Sequence, residues 1–211
     1  MTSTLRRRPA QRRSVERVER MLDECALLLD EVGYDALTTK EVARRAEVPI
    51  GTFYQFFHDK QGLVRALARR NLEAFLGRIT ERVATADLSH WTGLVDLAVD
   101  EFVDMKRTTP GFSVMDFGEV LVTAGGPVAG SKQALDGTHE NNAVVADRLR
   151  RLTLELLDAP VGPGLDRALL VAVEATDAVL KLAFRTDPHG DARLIAECKQ
   201  LVHRYLADHL P

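Results

Sequence analysis

The residues from Thr38 to Phe57, TTKEVARRAEVPIGTFYQFF, leave few choices of local fold. Thr38 followed three residues later by Glu41 reads as a capping box, in which the hydroxyl and the carboxylate each satisfy an orphan backbone donor at a helix start. Val42, Ala43 and Ala46 then share one face of a helix about two turns long, while Lys40, Arg44 and Arg45 project elsewhere. Glu47-Val48-Pro49 ends that helix, because proline disfavours helical geometry in the residue before it yet suits the first turn of a new one. A second short helix over 50–56 follows. With Val48 and Phe53 packed inward and Thr52, Tyr54 and Gln55 left for another surface, the pair is a helix-turn-helix whose second helix is the reader.

Fourteen residues stand in register around this stretch: Gly33, Leu37, Thr38, Glu41, Val42, Ala43, Ala46, Val48, Gly51, Thr52, Tyr54, Phe57, Lys60 and Leu63. In these the chain resembles the tetracycline-repressor (TetR) family of bacterial transcriptional regulators. The resemblance runs over roughly 14–75 by motif, and over the remainder by length and helical character. One residue departs from it. Where the family usually has glycine, at a turn position that favours a left-handed backbone, this chain has Glu47, a cost of about 1 kcal/mol that also sets a negative charge near the DNA face.

On this reading Ile50, Gly51, Thr52, Tyr54 and Gln55 face the major groove, with Gln55 placed to read an adenine bidentately. Thr39, Tyr54 and Lys60 hold phosphates. Lysine in the first turn of a helix opposes the macrodipole, and a phosphate bound jointly by the free amides and the ammonium group accounts for it better than a chance surface charge. Residues 1–13 carry five arginines and almost nothing apolar, so Arg6, Arg7 and Arg8 belong either to an arm on the DNA or to a solvated tail. The charge is uneven in the same sense. Residues 1–70 hold 14 Lys and Arg against 10 Asp and Glu, while 71–211 hold 14 against 21, so the helix-turn-helix end is the basic one.

Apolar residues recur at helical spacing from Ser14 to Val32, and again from Asp59 to Val83. The second run, about 37 Å long at ~1.5 Å per residue, is a strut that puts the domain boundary inside a helix. Three segments result: a basic arm at 1–13, a DNA-binding domain at 14–75, and a helical C-terminal domain at 76–211. Further helices are expected over 91–107, 135–157, 165–185 and 192–210, with breaks at Thr108–Gly111, 124–130 and 158–164. No stretch alternates apolar and polar residues long enough for a strand, so the fold is all-α.

The family likeness implies a hydrophobic effector in the C-terminal domain and a homodimer built from the last two helices. Phe102, Met105, Phe112, Met115, Phe117 and Leu121, around the Pro110-Gly111 break, form the most aromatic and adaptable apolar cluster and are the effector-binding candidates. Val173, Val179, Leu194 and Leu201 are the candidates for the dimer interface. Glu174 and Asp177 are out of place in an otherwise greasy helix and need partners, in Lys181 or Arg185 or across an interface.

No Walker sequence, GxGxxG, GxSxG or HExxH occurs, and Cys25 and Cys198 lack CxxC spacing and fall on apolar faces as buried thiols. No metal, cofactor or catalytic residue is expected. No apolar run reaches transmembrane length and the N-terminus lacks a signal-peptide core, which points to the cytoplasm. The leading reading is a ligand-responsive repressor that binds palindromic double-stranded operator DNA. Its rival is a helical small-molecule carrier or enzyme with an incidental N-terminal motif.

Overall fold

A computed structural model describes residues 12–86, 88, 90–115, 132–157, 162 and 164–211, without the side chains of 132–140. The expectations for Arg6, Arg7, Arg8, Phe117 and Leu121 fall outside these residues. Among the described residues the regular elements are helices, with no strand: α1 (Arg12–Ala36), α2 (Thr39–Arg45), α3 (Ile50–Phe56), α4 (Lys60–Thr85), α5 (Trp91–Thr108), α6 (Lys132–Leu156), α7 (Leu165–Thr186) and α8 (Ala192–Leu206). The chain is all-α, with an N-terminal helix-turn-helix and a helical C-terminal part. None of the helices described is long and apolar enough to cross a membrane.

Two compact units form, Met1–Glu73 with Thr108–Thr138, and Ala74–Arg107 with His139–Pro211. In the first, α1 buries Val18, Met21, Leu22, Cys25, Leu28 and Leu29 along one stripe, as its spacing requires. Phe53, Phe57, Leu63 and Leu67 complete the core around it, each wholly buried and each contributing about 1.5–3 kcal/mol of burial. Burial also pushes the Cys25 thiol up to about 12, so it stays an inert packing group. Gly33, at φ 73°, interrupts α1 three residues before its end, as its place after the apolar run suggested.

The turn 108–115 belongs to this first unit. The Gly111 N–H donates to Asp30 Oδ2 at 2.8 Å, and the Ser113 hydroxyl donates to Asp30 Oδ1 at 3.0 Å. Met115 is wholly buried in the same core as Met21 and Phe53. The segment read from sequence as part of the C-terminal apolar cluster therefore straps α1.

In the second unit α7 and α8 form a hairpin whose core includes Leu169, Ala172, Val202 and Leu206, with Trp91 of α5. The Trp91 indole N–H donates to the Pro211 oxygen at 2.8 Å, which ties the residues after α8 to α5. Lys199 and His203 of α8 meet Asp100 and Asp96 of α5 at 2.7 and 3.0 Å. Buried Glu101 is held by Arg78 at 3.2 Å and Arg82 at 2.9 Å, so its charge is compensated. The two carboxylates that stood out on α7 are partnered: Glu174 accepts from buried Asn142 Nδ2 at 3.0 Å, and Asp177 pairs with Lys181 at 2.8 Å.

Candidate nucleic-acid interface

Thr38 caps α2 with its side chain, accepting the Glu41 N–H at 3.2 Å. The other half of the expected box is diverted. The Glu41 carboxylate takes Arg44 at 2.9 and 2.7 Å and Arg45 at 3.1 Å, because arginines three and four residues on lie on its own face of the helix. Arg45 also grips Glu31 of α1 through two bonds of 2.7 and 2.6 Å. The Arg44 and then the Arg45 guanidinium hold the Glu41 carboxyl down at about 2, and Arg45 depresses Glu31. The network fixes α2 against α1 by charge as well as by core.

The turn after α2 is a Schellman motif. The Val48 N–H donates to Ala43 O at 3.0 Å and the Glu47 N–H to Arg44 O at 3.2 Å, with Glu47 at φ 54°. Glu47 is the only non-glycine with positive φ among the described residues. The left-handed geometry that glycine would enter freely is thus occupied by a residue with a Cβ. Glu47→Gly is expected to raise stability by about 1 kcal/mol, read as a higher urea midpoint at unchanged m. A fall in the midpoint would show that the Glu47 side chain compensates its backbone.

Seven-residue α3 buries Phe53 and Phe56 and turns its other side outward. Ile50 and Tyr54 are exposed at 40% and 43%, unusual for side chains of that size, and Gly51 and Gln55 are exposed beside them. Thr52 is half-buried at the margin. Thr39 Oγ1 lies 3.2 Å from the Tyr54 hydroxyl, which joins two phosphate candidates from α2 and α3 in one hydrogen bond. That bond orients the phenol, a link sequence reading did not draw.

Lys60 has an occupation the sequence did not disclose. Its Nζ donates to Tyr34 O at 2.9 Å and Asp35 O at 3.4 Å, and lies 4.3 Å from the centre of the Tyr34 ring. It caps the carbonyl end of α1 and adds a cation–π contact, which accounts for a lysine at a helix start. The N-cap of α4 is Asp59, whose Oδ1 accepts the Gly62 N–H at 2.7 Å.

A second surface lies on the other unit. Val171 and Leu182 of α7 and Leu201 of α8 are exposed at 44%, 44% and 47%. Leu201 and Val179 share a groove of about 480 Å³ with Glu197, Cys198, Arg204 and Tyr205. Val173 packs instead against the unit's core, and Leu194 is half-buried. Val171 and Leu182 escaped sequence reading because α7 carries Ala, Val and Leu on nearly every side.

Residues 22–67 match the family model "Bacterial regulatory proteins, tetR family", and 89–210 match "Tetracyclin repressor-like, C-terminal domain". A TetR-family transcriptional regulator from Streptomyces coelicolor is 44% identical and superposes at a TM-score of 0.76, the alignment covering 92% of this chain and 98% of that one. The transcriptional repressor KstR of Rhodococcus jostii is 46% identical over 55 residues, 26% of either chain, so that match spans about a quarter of the curated relative. FadR of Bacillus subtilis, solved with stearoyl-CoA, shares the fold at 15% identity and a TM-score of 0.61, over 90% of this chain and 97% of that one.

Proposed function

The chain belongs to the TetR family of bacterial transcriptional regulators, and from that premise we propose that it acts in the cytoplasm as a homodimeric repressor of palindromic operators. The observation that carries the reading is α3, a short helix anchored by buried Phe53 and Phe56 with Ile50, Gly51, Tyr54 and Gln55 exposed together. Gln55 reads a base edge, and Thr39 and Tyr54, joined by their hydrogen bond, take backbone phosphates. Lys60 adds positive charge at the start of α4, and Arg6, Arg7 and Arg8 add a further electrostatic contribution. A reader this short needs a second copy for operator specificity, and the exposed apolar side chains of α7 and α8 supply the face that joins the two.

Release comes from a small hydrophobic effector, as the ligand-bound FadR relative suggests. Phe102 and Met105, buried on α5 in the second unit, are its lining candidates among the described residues; Met115 belongs to the first unit's core, and Phe112 is buried on the turn of that unit. The effector weakens operator binding only to the extent that it prefers the non-binding arrangement, and a tenfold effect requires about 1.4 kcal/mol.

Gln55→Ala tests the reader. In a titration of DNA from upstream of the protein's own gene, it is expected to relax specificity at one position per half-site, losing about 1–3 kcal/mol of discrimination there. Unaltered discrimination at every position would remove Gln55 from base reading.

A further inference from the structure

We infer that the outward face of α8 is a self-complementary charge code for a second copy of this chain, pairing Glu197 of each copy with Arg204 of the other about a two-fold axis between Gln200 and Leu201. The inference rests on the dimer proposed above and specifies its register. α8 carries two sets of charges. The inward Lys199 is answered within the chain by Asp100, and His203 stands 3.0 Å from Asp96. The outward set, Arg193, Glu197 and Arg204, is exposed and, among the described residues, makes no ion pair; Arg204 only approaches Gln200, at 3.4 Å. Leu201, 47% exposed, sits at the middle of this face, and Glu197 and Arg204 line one groove with it.

Glu197 and Arg204 are seven residues apart, two helical turns, and so lie on one stripe about 10 Å long. A two-fold axis perpendicular to α8 at its middle runs the two helices antiparallel and maps each residue onto the one equally far on the other side. Glu197 then meets Arg204, twice, and Arg193 falls in register with Asp208 in the turn after the helix. An axis along the helix would set Glu197 on Glu197 and Arg204 on Arg204, so the same charges select against parallel pairing. Leu201 is central in either case, and the charges decide orientation and partner.

Charge reversal tests this directly. Glu197→Arg alone and Arg204→Glu alone each place two like-charge pairs at the interface and are expected to weaken the homodimer at least tenfold in sedimentation. An equimolar mixture of the two single variants, mass-tagged and read by native mass spectrometry, is expected to recover the heterodimer. The variant with both reversals in one chain is expected to form homodimers and to reject wild type. Single variants that dimerise like wild type and mix statistically would overturn the register while leaving the dimer intact. A wild type that stays monomeric at micromolar concentration would overturn the dimer itself.

Discussion

Gly111→Ala is expected to cost the protein about 2–5 kcal/mol. Gly111 holds φ 73°, where an L side chain adds roughly 1–2 kcal/mol of strain. A Cβ there would also stand 2.9 Å from Ala26 Cα and 2.9 Å from Ala26 O, both backbone atoms of α1 that cannot rotate away. Displacing them adds overpacking of about 1–3 kcal/mol and pulls the Gly111 N–H off Asp30. Against a typical stability of about 5–15 kcal/mol, this is a large fraction. Urea denaturation measures it, and Ser113→Ala is the control, removing one exposed hydrogen bond to Asp30 for about 1 kcal/mol or less. A loss for Gly111→Ala no larger than that control would mean that the strap is not seated on α1 in solution.

Leu182→Glu combined with Leu201→Glu is expected to yield folded monomers whose operator affinity falls by roughly 10²–10⁴-fold, the advantage of holding two readers on one molecule. Both side chains are more than two-fifths exposed, so folding of the single chain does not depend on them. Placed in an apolar interface, four carboxylates per dimer would be desolvated without partners. Sedimentation and operator titration on the same sample decide the matter. Full dimer content in this variant would move the interface elsewhere, and monomers that bind operator like wild type would take the dimer out of the mechanism.

The helices and their order could be read from runs of apolar residues at helical spacing between Gly- and Pro-marked breaks. Local chemistry was equally legible where its cause lies within a few residues. The Thr38 cap, the inward Val48 and Phe53, and the left-handed turn occupied by Glu47 all follow from their neighbours. The Glu41 half of the capping box failed for a reason that was also local, since Arg44 and Arg45 compete for its carboxylate.

What could not be read depends on contacts distant in sequence. Asp30 meets Gly111 across 81 residues, and nothing in the composition of 109–115 reveals that Met115 is buried in the N-terminal core. Lys60 reaches back 26 residues to the carbonyl of Tyr34, an option hidden by its place at a helix start. On α7 the periodicity itself is uninformative. A helix apolar on most sides does not disclose that Val171 and Leu182 face outward while Val173 packs inward.

Selection of binding sites from a pool of randomised DNA duplexes by the full-length protein tests the account most directly, because it requires both the reader and the pairing of two copies. The expected result is an inverted repeat whose half-site centres lie 10–10.5 base pairs apart or a multiple of that, bound with a steep dependence on salt. Enrichment of no sequence, or of a single unpaired half-site, would contradict it.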